Sequence, residues 1–103
     1  MKNKYHLFFE TLGTGLKISI ISELKRESLT VNNLSKKLDQ ERSKVSHALK
    51  SLLECAFVSV KKKGRERIYS LNTDTTIPLL SIVEKHVKKY CKVCKREEGK
   101  KCH

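Results

Sequence analysis

Residues 42–71 read RSKVSHALKSLLECAFVSVKKKGRERIYSL, and two different periods follow one another within them. Val45, Leu49, Leu52 and Leu53 recur at helical spacing, which sets them on an inward face and turns Arg42, Ser43, Ser46, His47 and Lys50 elsewhere. After Ala56 the period changes. Phe57, Val58 and Val60 lead into a Lys61-Lys62-Lys63-Gly64-Arg65 tip, and Ile68, Tyr69 and Leu71 lead out of it, the pattern of two strands around a glycine-containing turn. The stretch predicts a polar-faced helix followed by a basic hairpin.

Upstream, Thr30 can cap a short helix through Val31, Leu34 and Leu38, because its hydroxyl can accept from the first-turn amides. Asp39 or Glu41 then opens the polar-faced helix. An earlier helix runs from about Leu16 to Glu27, with Leu16, Ile20 and Leu24 spaced by four and Ile18 and Ile21 widening the buried stripe. Tyr5, Phe8, Phe9 and Leu12 give a first helix that stops near Gly13 and Gly15, and its aromatic face needs a partner. Downstream, from Thr73 or Asp74, a last helix carries Leu80, Val83, Val87 and Tyr90 in a narrow, seam-like stripe and ends near Tyr90 or Cys91, with Pro78 tolerable only in its first turn. The expected fold is mostly α with a small β-hairpin wing, a winged helix-turn-helix over residues 1–90, and residues 91–103 form a separate basic, Cys-rich tail.

Composition limits what such a fold can serve. At 103 residues the chain is one domain with a single modest core, which excludes a large multidomain enzyme. Twenty-three Lys and Arg against eleven Asp and Glu give a net charge of +12, so the natural partner is polyanionic. No run of 18 apolar residues suits a membrane, and Met1 to Glu10 lack the features of a signal peptide, so a cytoplasmic location without membrane contact is expected. Paired carboxylates, a phosphate-cradling glycine loop and a nucleophile–base–orienter set are all missing, which argues against an enzyme.

In a winged helix-turn-helix the second motif helix enters the major groove while the wing meets phosphate. Lys61, Lys62, Lys63, Arg65 and Arg67 are then the expected phosphate contacts, which add affinity without sequence preference. Arg42, Ser43, Ser46 and His47 are the expected base readers, with Lys44 and Lys50 on the same DNA-binding helix. Each has a plainer alternative: Arg42 and Lys50 touching phosphate alone, Ser43 pairing with backbone, His47 a solvated helix residue, and the wing cluster a solvated turn.

Leu12 to Leu24, Val31 to Leu38, Ser43 to Leu52 and Gly64 to Leu71 resemble the ArsR/SmtB family of repressors, and the likeness covers roughly residues 5–90. That resemblance implies a prokaryotic homodimer that occupies operator DNA and often leaves it when metal or oxidant binds. Because the family pairs through its first and last helices, it also implies dimer contacts at Tyr5, Phe8, Phe9, Leu80, Val83, Val87 and Tyr90, in agreement with the seam on residues 80–90. The chain departs from the family in three places. Ala48 occupies a usual His position, Ala56 replaces the Gly that usually follows the recognition helix, and Lys17 stands where the second helix often has Arg. An alanine after the helix either accepts a left-handed conformation at about 1 kcal/mol or ends the helix differently. The family's thiolate pair is missing from Thr30 to Leu34. Of its zinc positions on the last helix only Asp74 and His86 fit, since Thr76 and Lys89 fill the other two.

Cys91-Lys92-Val93-Cys94 with Cys102 and His103 supplies three thiols and an imidazole, a donor set for Zn2+. His86, His6 or a residue of a partner chain are alternatives for the fourth ligand. The same thiols in a positive potential could act as a redox switch, and a frayed lysine-rich tail with adventitious thiols is the plainest alternative. Cys55 follows Leu49, Leu52 and Leu53 and is expected to be buried, outside this set. The reading is a homodimeric, sequence-specific DNA-binding transcriptional regulator, a repressor, responsive to metal or redox state through its tail. The alternative is a protein-interaction module with a zinc-dependent docking tail; RNA is disfavoured because no aromatic lies between Cys91 and His103.

Overall fold

The computed structural model describes residues 3–93, which divide into two compact units, one up to Asn72 and one from Thr73 onward. In the first unit, short polar side chains start three of the helices. Asn3 accepts from the Tyr5 amide at 2.7 Å and opens α1 (Lys4–Leu12). Thr14 accepts from the Lys17 amide at 3.3 Å and opens α2 (Gly15–Arg26). Thr30 opens α3 (Val31–Leu38) through the Asn33 amide at 3.2 Å, as its position predicts. At the end of α1, a Cβ on Gly13 would stand 2.9 Å from the Phe9 carbonyl oxygen, so only glycine lets the chain turn there without a shift.

Asp39, with φ 52 and ψ 51, makes the turn after α3, and the Gln40 amide donates to the Ser35 carbonyl at 3.0 Å. Glu41 then opens α4 (Arg42–Glu54) without a side-chain cap. The core gathers where α4 packs on α2, α3 and the hairpin: Ile20, Ile21 and Leu24 from α2, Leu34 from α3, and Val45, Leu49 and Leu52 from α4 are all buried. Two expected core residues lie outside it. Ile18 is 45% exposed because it sits about 200° around α2 from Ile20, and Leu53 is 36% exposed because it is one step past the Leu49–Leu52 stripe. α1 has no buried residue; Thr11 and Leu12 are half-buried, and the Phe8 ring lies 5.0 Å from that of Phe57.

Of the two endings open to α4, the chain takes the left-handed one: Ala56 has φ 60. The Phe57 amide donates to the Leu52 carbonyl at 2.9 Å and the Ala56 amide to the Leu53 carbonyl at 3.0 Å, the paired bonds of a Schellman ending. Buried Phe57 and Leu52 close over it, and Asn72 Nδ2 holds the Ala56 carbonyl at 2.8 Å. Ala56→Gly should therefore stabilise the protein by about 0.5–1 kcal/mol: relief of the left-handed Cβ clash outweighs glycine's extra unfolded-state entropy. The expected outcome is a melting temperature a few degrees higher; an unchanged or lower one would contradict this account of the ending.

β1 (Val58–Lys63) and β2 (Glu66–Leu71) form the antiparallel wing, in register from Val58↔Leu71 to Lys63↔Glu66. Lys61, Lys62 and Lys63, expected at the tip, extend the strand instead, and the tip shrinks to Gly64-Arg65. Gly64 has φ 64 while Arg65 keeps a negative φ, the dihedral signs of a tight II′ hairpin turn. A feature with no periodic signal adds a third edge: Leu29 exchanges backbone hydrogen bonds with Tyr69 at 3.1 and 2.8 Å, beside a 2.7 Å contact between the Ser28 and Ser70 hydroxyls.

The second unit holds α5 (Thr76–Lys89), which begins slightly later than predicted and carries Pro78 in its first turn, where its missing N–H costs nothing. Leu80 and Val87 are half-buried, Val83 and Tyr90 exposed, and the unanticipated Ile82 stands 65% exposed. Among the described residues no helix is long and apolar enough to cross a membrane.

Candidate nucleic-acid interface

The buried side of α4 is Val45, Ala48, Leu49 and Leu52, and the opposite side carries Arg42, Ser43, Lys44, Ser46, His47 and Lys50, every one exposed. Arg42, Ser46 and Lys50 fall at four-residue steps, and Ser43 with His47 lies beside them, so these side chains share one continuous stripe. Ala48, at the position where the ArsR/SmtB resemblance leads one to look for His, points into the core instead, and the outward imidazole belongs to His47. The helix start keeps its first-turn amides unbridged by any side chain, since Glu41 makes no capping bond.

The wing residues Lys61, Lys62, Lys63, Arg65 and Arg67 are also all exposed. Strand alternation divides them between the two faces. Lys62 lies directly opposite Arg67, on the face that carries Val58 and Val60 and, across from them, Leu71 and Tyr69 nearer the core. Like charges placed opposite one another cost an antiparallel pair about 0.2–1 kcal/mol, a penalty that a phosphate between them would remove. Lys62→Thr should accordingly raise the thermal stability of the protein slightly. A variant that melts lower than the parent would show that the pair is not repulsive.

The expected dimer residues are exposed where α1 carries them, at 65% for Tyr5, 37% for Phe8 and 61% for Phe9. Of the expected metal ligands, Cys91 is half-buried, while Cys94, Cys102 and His103 lie outside the described residues. Among the described residues no group of three or more His, Cys, Asp or Glu is arranged to hold a metal ion. Cys55 corrects its expectation. It is exposed, its sulfur 3.9 Å from the Thr11 hydroxyl, because the Leu52–Phe57 closure takes up the core side of the helix end and leaves Cys55 outside. Sequence periodicity gave no prominence to Thr14, and Lys17 drew notice only as the residue standing where the resembled family often has Arg. With Leu16, Ser43, Lys44 and His47 they line a shallow groove of about 480 Å3 between the start of α2 and the first turns of α4. The signal available for it was the Thr14 capping position, three residues before a lone lysine.

Comparison with known proteins gives this surface a context. Residues 23–73, from the second half of α2 through the hairpin, match the family model "Sugar-specific transcriptional regulator TrmB". No curated protein matches the sequence. Among solved structures, Rv0081 of M. tuberculosis is 26% identical with a TM-score of 0.76, the alignment covering 86% of this chain and 93% of that one. HlyU from Vibrio cholerae superimposes with a TM-score of 0.67 at 22% identity, over 86% of this chain and 94% of its own. Mb0332 from Mycobacterium bovis, described as a homodimeric winged helix-turn-helix DNA-binding domain and a possible ArsR-family transcriptional regulator, gives a TM-score of 0.73 at 13% identity, over 88% and 91% of the two chains. At these identities the last two show the shared fold. The matching family consists of regulators rather than enzymes. With an exposed polar helix and a basic wing set on this framework, the chain has the winged helix-turn-helix fold of these solved regulators, and its residues 23–73 are similar to the TrmB family of transcriptional regulators.

Proposed function

We propose that the protein is a sequence-specific repressor that binds duplex DNA as a homodimer, each subunit laying α4 in a major groove and its wing against the flanking phosphates. One observation carries this reading: α4 buries every large apolar side chain of its inner stripe and presents six polar or basic residues, Arg42 to Lys50, on a single open face. Arg42, Ser43, Ser46 and His47 reach base edges, and Lys44, Lys50 and the wing cations neutralise phosphate. Dimerisation is supported by α1, whose Tyr5 and Phe9 are each more than half exposed, and by the open Val83 and Tyr90 of α5. The homodimeric state of Mb0332 points the same way.

The tail belongs to the same proposal. Cys91, Cys94, Cys102 and His103 have the donor chemistry of a tetrahedral zinc site, and occupancy or thiol oxidation there modulates DNA release. In the full chain, Cys91→Ser with Cys94→Ser should abolish zinc retention and any response of DNA binding to chelator or oxidant.

Selection from a random pool of duplexes tests the main reading. It should yield a pseudo-palindrome whose half-sites lie about one helical turn apart, as two recognition helices on a two-fold axis require. No duplex binding at low salt would overturn the proposal and favour a protein-docking role for the same surface.

A further inference from the structure

The groove between α2 and α4 has a composition that base reading does not use. Its floor is apolar, formed by half-buried Leu16 and by Ala48, which is 6% exposed. Its rim carries two cations, Lys17 from α2 and Lys44 from α4. Neither is held in an ion pair among the described residues, and no acidic side chain lines the groove. The bond from the Lys17 amide to the Thr14 hydroxyl fixes the turn of backbone from which Lys17 projects. Ser43 and His47, on the reading face of α4, form one wall, so the groove opens directly beside that face, and no wing residue contributes to it.

We propose that this groove seats the sugar–phosphate backbone of one DNA strand, with Lys17 and Lys44 each neutralising a phosphate and Leu16 and Ala48 meeting the deoxyribose. The inference rests on the DNA-binding reading above and adds to it a backbone contact from α2, through Lys17 and Leu16, beside the phosphate contact of Lys44. A helix lying in the major groove is bordered by a phosphate strand on each side, and a groove next to its reading face meets one of them. Apolar floor and cationic rim match the two chemical faces of a nucleotide backbone. The +12 charge of the chain gives every anionic strand a favourable approach. An acidic protein segment would satisfy the lysines but would not register against DNA phosphates, which is how the experiment separates the two.

The test uses the full chain, the selected duplex and a scrambled duplex of equal length. Lys17→Gln should weaken both about 10- to 100-fold at 0.1 M salt and lower the slope of log affinity against log salt by about 1.8, the loss of one neutralised phosphate in each half-site. Adding Lys44→Gln should lower the slope by about 3.6 in all, and Lys17→Arg should restore the parent values. Ethylation interference gives a readout that altered folding would not move. In the parent, one ethylated phosphate beside each half-site should block binding, and that position alone should cease to interfere in Lys17→Gln at saturating protein. If the parent binds duplex and Lys17→Gln keeps its affinity, slope and interference pattern, the groove holds no backbone and the inference falls while the proposed function stands. A loss confined to the selected duplex would make Lys17 a base contact and equally overturn it. If the parent itself binds no duplex, the DNA-binding reading has failed first.

Discussion

Replacement of Lys61, Lys62, Arg65 and Arg67 together by glutamine is expected to reduce duplex binding at 0.2 M salt below detection while leaving the fold unchanged. All four side chains are exposed, and none contributes to the core formed by Val58, Tyr69 and Leu71 of the same strands. Each cation that neutralises a phosphate releases counterions, and four lost contacts in each of the two subunits remove about 7 from the salt slope, a difference of some orders of magnitude in affinity near physiological salt. The loss should be the same for selected and scrambled duplexes, because phosphates carry no sequence information. Removal of the Lys62–Arg67 juxtaposition should leave the hairpin slightly more stable than before. Fluorescence anisotropy across a salt series, with a thermal melt on the same samples, provides both readings. A variant that retains the parent's salt slope would show that the wing does not touch the backbone.

The second large effect concerns the fold that presents α4. Leu49 is fully buried on the face of a helix that packs against α2, α3 and β1 at once. Leu49→Ala should cost about 3–5 kcal/mol, since the surrounding elements cannot all close on the cavity. Domains of this size hold only about 5–15 kcal/mol in total, so much of the protein's stability would go, and DNA binding at 37 °C with it. Leu53→Ala, four residues later on the same helix and 36% exposed, should cost well under half as much. Denaturant titration of the two variants measures the contrast. Equal losses would mean that α4 is packed differently from the arrangement described here.

These contrasts show where sequence pattern was informative. Four of the five helices and both strands carry an apolar repeat long enough to declare its period, and Thr30 marks a helix start by the chemistry of its hydroxyl alone. Pattern failed where position within a turn decides the outcome. Cys55 and Leu53 follow buried residues in the chain, yet the Schellman closure of Leu52 on Phe57 turns the last helical residues outward. Ile18 failed for a related reason, because apolarity marks a candidate for burial but the helical angle from Ile20 decides it. The Leu29–Tyr69 bridge joins residues 40 positions apart through backbone atoms, and no side-chain pattern encodes such a pairing. The polar face of α4 was legible because it is the complement of a clear buried stripe. The α2–α4 groove was not, because its residues come from two separate helices and become neighbours only once Ile20, Leu24, Val45 and Leu49 have packed.

The central claim is that the open face of α4 reads bases, and its most direct measurement is a parallel selection from one random duplex pool with the parent, Ser46→Ala and Arg42→Ala. The account predicts that the parent enriches a defined site and that each variant loses preference at particular base pairs of each half-site, about 1–3 kcal/mol per contact, while unrelated positions keep theirs. Identical enriched sites for all three proteins would contradict it.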